Sequence, residues 1–167
     1  MAFDSTLFRI APARLEDYRD CVKFLNERGD DLLRSGELDY KDALHQRMLM
    51  DRMRTRISVI RERSTRRVVA VAMLCLTYTW RKGVGYVEYV LADEEFRGRG
   101  HGLGRAVMEH LLEQVRSVRP RVETVKLVSE PWHEAARALY EKLGFSLVDG
   151  SDRHWELDLV EYLERTR

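Results

Sequence analysis

The sequence is poor in sulfur. Among 167 residues only Cys21 and Cys75 are cysteines, and each falls inside a stretch read as a regular element. Two such thiols make neither a disulfide framework nor a metal pair. They read as buried free thiols of a reducing, cytoplasmic compartment. Metal spacing is absent too: His45, His101, His110, His133 and His154 show no H-E-x-x-H and no Cys/His pairing, so no metal is expected. No apolar run approaches a membrane span. The start, Met1-Ala2-Phe3-Asp4-Ser5, lacks the basic-then-apolar order of a secretory signal. Excess charge is missing as well: 29 Lys and Arg against 28 Asp and Glu leave +1. That balance argues against a general nucleic-acid binder. There is no internal repeat and no low-complexity linker.

What is present suits a soluble globular protein, with 44% hydrophobic and 34% charged residues. The length predicts a single domain over residues 1–167 with a real core. Leu7 to Ile10 reads as a first strand ended by Pro12. A helix opens at Arg14 and runs to about Arg28, with Leu15, Tyr18, Val22 and Leu25 as its apolar stripe. Gly29 stops it, a polar acidic segment follows to Asp39, and a second helix is expected over about Tyr40 to Thr55. Its methionines Met48, Met50 and Met53 read as adaptable packing. Strands are read over Ile57–Ile60, Val68–Tyr78 and Tyr86–Ala92, then a helix over about Gly102–Val118 ending before Pro120. Val122–Ser129 is a strand, about His133–Leu143 a helix stopped by Gly144, and Phe145–Val148 and His154–Leu159 are final strands. The order β-α-α-β-β-β-α-β-α-β-β predicts an α/β chain with a mixed sheet flanked by helices. The arginines at 52, 54, 56, 61, 63, 66 and 67 form one basic cluster. With no aromatics between them, they read as a solvated helix end and a charged hairpin tip rather than a nucleic-acid surface.

The most informative stretch is Phe96-Arg97-Gly98-Arg99-Gly100-His101-Gly102-Leu103-Gly104. It lies between a strand and an amphipathic helix whose Leu103, Val107, Leu111 and Val115 share one face. Glycines let the backbone approach a ligand, and the N–H groups and dipole of a helix start favour negative charge, so the stretch reads as an anion site. The spacing excludes a P-loop, because no Gly-Lys-Ser/Thr follows. It also excludes a dinucleotide fingerprint, because the glycines fall at every second position.

Arg97-x-x-Gly100-x-Gly102 resembles the Gln/Arg-x-x-Gly-x-Gly/Ala pyrophosphate motif of the GNAT superfamily of N-acetyltransferases. Downstream, His133-Glu134-Ala135-Ala136-Arg137-Ala138-Leu139-Tyr140-Glu141-Lys142-Leu143-Gly144-Phe145 is similar to the family pattern Asn-x-x-Ala-x-x-Leu-Tyr-x-x-x-Gly-Phe. Ala136, Leu139, Tyr140, Gly144 and Phe145 match, and His133 stands where the family often has Asn. The two motifs occur in family order, and Phe8 to Leu159 follows the family's sequence of elements.

The resemblance implies a mostly antiparallel central sheet and direct transfer of an acetyl group from acetyl-CoA to a primary amine in a ternary complex. It assigns Arg97, Gly98, Arg99, Gly100, His101, Gly102, Leu103 and Gly104 to the pyrophosphate. The strand before them should bulge and splay from Val122–Ser129, freeing backbone at Val90, Leu91 and Ala92 for the pantetheine arm, with Leu91 also polarising the acyl oxygen. His133 takes the position of the family's cofactor-contacting Asn. Glu88 is the implied base and Tyr140 the implied acid. The acceptor pocket would draw on Asp30, Asp31, Glu37 and Asp39, with Tyr78, Trp80, Trp132 and His154 as aromatic walls, a combination that suits a cationic amine. Of these, Asp31, Trp80 and Trp132 are the chosen acceptor contacts. A small-molecule amine leads as the acceptor. A protein or peptide acetyltransferase and a non-catalytic acyl-CoA sensor stay open as alternatives, and a homodimer is common in the family.

Overall fold

A computed structural model describes residues 2–28, 54–78 and 82–166. The acidic segment around Asp31 and most of the helix expected over Tyr40–Thr55 lie outside the described residues. Seven strands form one sheet in the order β1-β2-β3-β4-β5-β7-β6. They are β1 Phe8–Pro12, β2 Thr55–Glu62, β3 Val68–Tyr78, β4 Gly83–Ala92, β5 Val122–Val128, β6 Ser146–Leu147 and β7 His154–Asp158. Every pairing is antiparallel except β4 with β5, so the sheet is mixed and mostly antiparallel, as expected. The helices are α1 Tyr18–Arg28, α2 Leu103–Val115, α3 Glu134–Leu143 and α4 Leu159–Arg165.

Hydrophobic pattern explains the layering. Val68 to Leu74 is buried at every residue, because β3 lies inside the sheet with side chains packed on both faces. One face carries the larger cluster, in which Leu103, Val107, Leu111 and Val115 of α2 meet Ala70, Ala72 and Leu74. These helix residues recur at the spacing of one helical face, and all four are buried. On the other face α1 seats Cys21, Val22, Phe24 and Leu25 against Val59, Val71 and Met73.

Several boundaries differ from the sequence reading: β2 runs Thr55–Glu62 instead of Ile57–Ile60, β4 begins at Gly83 instead of Tyr86, and three others have a visible cause. The first helix begins as a 3-10 turn at Leu15–Asp17, and Leu15 is exposed. The Asp17 side chain holds that turn by accepting the Arg14 N–H at 2.7 Å, and the apolar stripe starts further on. The helix after the glycines stops at Val115 and tightens into a turn, the Val118 N–H donating to the Val115 carbonyl. The chain also ends in a helix, α4, rather than a strand. Asp158 caps it by accepting from the Val160 and Glu161 N–H groups, a role short acidic side chains fill well.

One polar node sits between α2 and β2. The Gln114 amide donates to Ser58 Oγ at 2.7 Å, and Ser58 Oγ lies 2.8 Å from His110 Nδ1. Ser58 is fully buried. With Gln114 donating to it, the Ser58 hydroxyl has its own proton to offer His110 Nδ1, an arrangement that suits a neutral imidazole protonated at Nε2. Burial lowers the His110 pKa from 6.5, and Glu113 opposes this more weakly. The unfolded chain therefore binds the extra proton more readily than the native one. His110 stabilises the fold fully above its unfolded value of about 6.5, and this contribution is lost as pH falls through the lower native value. Thermal unfolding followed from pH 7.5 to 5 should show declining stability, and His110→Asn should flatten that decline.

Candidate active site

The site begins where two parallel strands part. β4 pairs with β5 from Gly83↔Val122 to Tyr86↔Lys126 and no further. Beyond Tyr86, β4 keeps only its β3 partner, while Leu127 and Val128 pair only with β7. A β-bulge marks the departure. Met73 faces Tyr89 and Leu74 faces Val87, so Glu88 is passed over in the register. An extra residue bends a strand and increases its twist. The Glu88 side chain is exposed at this bend, on the chain segment that forms one lip of the opening. Val90, Leu91 and Ala92 continue that lip, each paired on the β3 side with Ala72, Val71 and Ala70.

Because β4 and β5 run parallel, the loops that follow them leave from the same end of the sheet, the usual place for a ligand at parallel strand ends. The loop after β4 is the glycine stretch. Gly98, Gly100 and Gly102 take φ of 75°, 84° and 66°, the left-handed region that only glycine enters cheaply. Alternation of such residues with others turns successive N–H groups toward one concavity, an anion nest. Gly102 caps α2 without any side chain bonding to the first-turn N–H groups, so those donors have no side-chain cap beside the glycine stretch. The Leu103 side chain is buried, which leaves only its backbone for a ligand.

The remaining side chains of the loop divide into inward and outward. Phe96 and His101 pack edge-on against Phe8, each at 5.3 Å between ring centres, and against each other at 5.9 Å. His101 Nδ1 also lies 3.8 Å from the Asp4 carboxylate. The His101 ring thus anchors the loop, leaving its backbone for a ligand. Arg97 and Arg99 are exposed, and Arg97 Nη2 donates to the Ala92 carbonyl at 3.1 Å.

The loop after β5 runs through Ser129 to His133, which caps α3 with no side-chain bond of its own. Trp132 is 72% exposed and meets the His133 ring edge-on at 6.0 Å. In the second turn of α3, Leu139 approaches the first turn of α2: a Cβ added to Gly104 would lie 3.4 Å from Leu139 Cδ2. The helices that carry the two sequence signatures therefore run close together at this point. The next residue, Tyr140, is buried with its ring edge-on to Phe145 at 5.9 Å and tilted against Trp155 at 6.5 Å. Burial pushes its hydroxyl pKa up to about 12, so it is a protonated donor at any physiological pH.

Of the remaining expectations, Asp31 and Trp80 lie outside the described residues, as do Asp30, Glu37 and Asp39. His154 is exposed opposite Val128 at the end of the β5–β7 ladder. Two groups escaped the sequence reading. Ser129 Oγ and Trp155 Nε1 are buried without a hydrogen-bond partner among the described residues. The hint for Ser129 was a hydroxyl two residues beyond Leu127, on the strand face that Val125 and Leu127 fill with apolar side chains. Among the described residues no cluster of three or more His, Cys, Asp or Glu could hold a metal, and no helix is long and apolar enough to cross a membrane. The arginine cluster is largely engaged: Arg61 pairs with Asp17 at 2.7 Å and Asp20 at 2.8 Å, and Arg67 with Glu95 at 2.7 Å.

Residues 21–145 match the sequence profile of the Acetyltransferase (GNAT) family. The chain belongs to that family. It is an acyltransferase of the N-acetyltransferase kind, and enzymes of the family use acetyl-CoA. No curated protein matches the chain. Among solved structures, an acetyltransferase of Trypanosoma brucei superposes with a TM-score of 0.64 at 25% identity, covering 87% of this chain and 97% of its own. The spermidine N-acetyltransferase of Vibrio cholerae in complex with CoA and spermine gives 0.67 at 16% identity, with 95% and 99% covered. Glucosamine-6-phosphate N-acetyltransferase of Arabidopsis thaliana gives 0.65 at 23% identity, with 86% and 95% covered.

The nest makes a test independent of any ligand. A Cβ at Gly98 would meet nothing within 4 Å, yet φ there is 75°. Gly98→Ala should therefore cost only the left-handed backbone penalty, about 1–2 kcal/mol, read as a drop of about 2–8 °C in Tm.

Proposed function

We propose that this GNAT enzyme transfers an acetyl group from acetyl-CoA directly to the primary amine of a small molecule. The observation that carries this reading is that the loops bearing the two signatures leave the same end of β4 and β5, where those parallel strands part. The residues suit acetyl-CoA on three counts. Three left-handed glycines and an uncapped helix start offer donors to a pyrophosphate. Arg97 and Arg99 add charge beside them. The edge of β4 beyond Tyr86, released from β5, offers backbone groups at Val90, Leu91 and Ala92 to an amide-bearing arm, as an added strand would use them. Acetyl-CoA supplies the acyl group as a thioester; the rest of the chemistry falls to the chain.

An amine with a lysine-like pKa of about 10.4 is mostly protonated at neutral pH and cannot attack until it loses that proton. Glu88, exposed at the bulge, serves as the base, directly or through water. The backbone N–H near Leu91 steadies the developing oxyanion. Tyr140 hands its hydroxyl proton toward the departing sulfur. A phenol of pKa about 12 is a weak acid for a thiolate whose ordinary pKa is about 8.5. The same burial that lifts the phenol also lifts a sulfur anion beside it, which narrows the gap. Tyr140 then acts mainly as a strong hydrogen-bond donor whose proton follows the charge. His133, at the cap of α3, holds the cofactor arm in place of the family's Asn.

The acceptor class draws support from the fold's relatives, which include enzymes named for spermidine and for glucosamine-6-phosphate. Trp132, exposed beside the opening, serves as an aromatic wall for a cationic amine. Asp31 and Trp80, outside the described residues, are proposed as further acceptor contacts on the sequence alone.

The deciding assay is thiol release from acetyl-CoA across polyamines, amino sugars, other small amines and peptides. Release with a small amine supports this reading, and release with peptides alone sinks it. Within the active enzyme, Tyr140→Phe should lower kcat about tenfold to a hundredfold while the KM for acetyl-CoA stays within about twofold. Glu88→Gln should cost most near pH 7 and progressively less toward pH 10, where the acceptor amine sheds its own proton.

A further inference from the structure

We infer that Arg67, on the turn between β2 and β3, is a positioning residue that sets the shape of the pyrophosphate loop from behind. The inference rests on the acetyl-CoA reading for its consequence, though not for its geometry. Arg67 Nη2 stands between two carboxylates, 2.7 Å from Glu95 Oε2 and 3.7 Å from Asp93 Oδ2. Its guanidinium carbon lies 5.7 Å from the centre of the Phe96 ring. Three of the four residues that lead from β4 into Arg97 are therefore touched by one side chain, from an element remote in sequence.

The arrangement is one of constraint. The Asp93 side chain is 2% exposed, and a buried carboxylate needs compensating charge and hydrogen bonds. Its Oδ1 accepts the Glu95 N–H at 3.0 Å, while the Asp93 carbonyl accepts the Phe96 N–H at 3.0 Å and the Glu94 carbonyl the Arg97 N–H at 3.1 Å. Asp93 is thus the hub of the turn that launches the nest, and Arg67 supplies a cation to that hub. Arg67 is itself held. Its carbonyl accepts the Glu62 N–H at 2.9 Å, and Arg61 Nη1 donates to the neighbouring Arg66 carbonyl at 2.7 Å. The guanidinium also matters: one nitrogen, Nη2, serves both carboxylates, while its planar group lies near the Phe96 ring, a face that a lysine ammonium does not offer. Without it, Asp93 and Glu95 repel each other across the turn, and the N–H groups of the nest lose their common aim.

The test compares wild type with Arg67→Ala and Arg67→Lys in two measurements. The first is affinity for CoA by calorimetry, set against affinity for pantetheine, which lacks the pyrophosphate, by competition. Arg67→Ala should weaken CoA about tenfold or more and leave pantetheine within about twofold, with Arg67→Lys between. The second is amide hydrogen exchange without ligand. Exchange over residues 94–102 should accelerate in Arg67→Ala about tenfold, while Leu111 and Leu112 in the α2 core keep their protection. An equal loss of CoA and pantetheine affinity, or loss of protection at Leu111 and Leu112, means general destabilisation and overturns the inference. Unchanged exchange over the loop overturns it as well. A wild type that binds no CoA sinks the acetyl-CoA reading, and the exchange measurement still decides what Arg67 does.

Discussion

The structure depends on a broken pairing. Two parallel strands that begin as neighbours at Gly83↔Val122 stop bonding after Tyr86↔Lys126. A sheet interior does not give up backbone hydrogen bonds without cause, since each unpaired buried group is costly. Here the cause is local. The bulge at Glu88 turns β4 away while its other edge remains fastened to β3. The result is an opening bounded by two strand edges, with backbone donors and acceptors on its walls. Both loops that carry the signatures emerge at its wide end. The bulge that opens the sheet is also the residue assigned as the base, so the chemical group and the space it serves arise from one irregularity.

An opening of this kind needs a rigid surround, and the chain builds one from apolar and charged contacts together. α2 is fixed by Val107, Met108, Leu111 and Leu112, all fully buried, so the helix start that closes the nest cannot drift. Phe96 and His101 pin both ends of the loop to Phe8 of the first strand. Arg97, the residue that names the motif, meanwhile donates to the Ala92 carbonyl, one of the groups proposed for the pantetheine arm. The arginine thus supplies that carbonyl with a donor. If Arg97 holds the pyrophosphate as proposed, leaving a neutral carbonyl for a doubly charged group is a favourable exchange for a guanidinium.

Much of this could be read from the chain, and the reasons for success and failure are physical. The stripe Leu103, Val107, Leu111 and Val115 was visible because a helix repeats its buried face at short, regular intervals. The glycines were visible because left-handed backbone nearly demands them. The splay was expected only through the family resemblance, and the place of its bulge was hidden, because one skipped residue leaves no mark on a strand that simply alternates. Leu15 was misassigned because a 3-10 turn and an α-helix share their opening residues, and a leucine on either looks like a stripe. The last helix had a signal that the strand reading overran: Asp158 followed by Glu161, a cap with an acid in the first turn. Arg67 was legible only as a member of a basic cluster. Its pairing with Asp93 and Glu95 joins segments more than 25 residues apart, and no local pattern encodes such a contact.

The two assigned groups also differ in the way their tasks require. Glu88 stands at an exposed bend, where a proton taken from an amine can pass to water. Tyr140 lies within the core among Phe145 and Trp155, where water is excluded and a sulfur anion would otherwise go unsolvated. A base that must be emptied after each turnover belongs near solvent. A donor that must meet a charge only as it forms belongs in a dry wall, where a single hydrogen bond is worth most. The proposed site would draw on both environments, because Glu88 on one lip faces water and Tyr140, on the helix that follows the other, is buried.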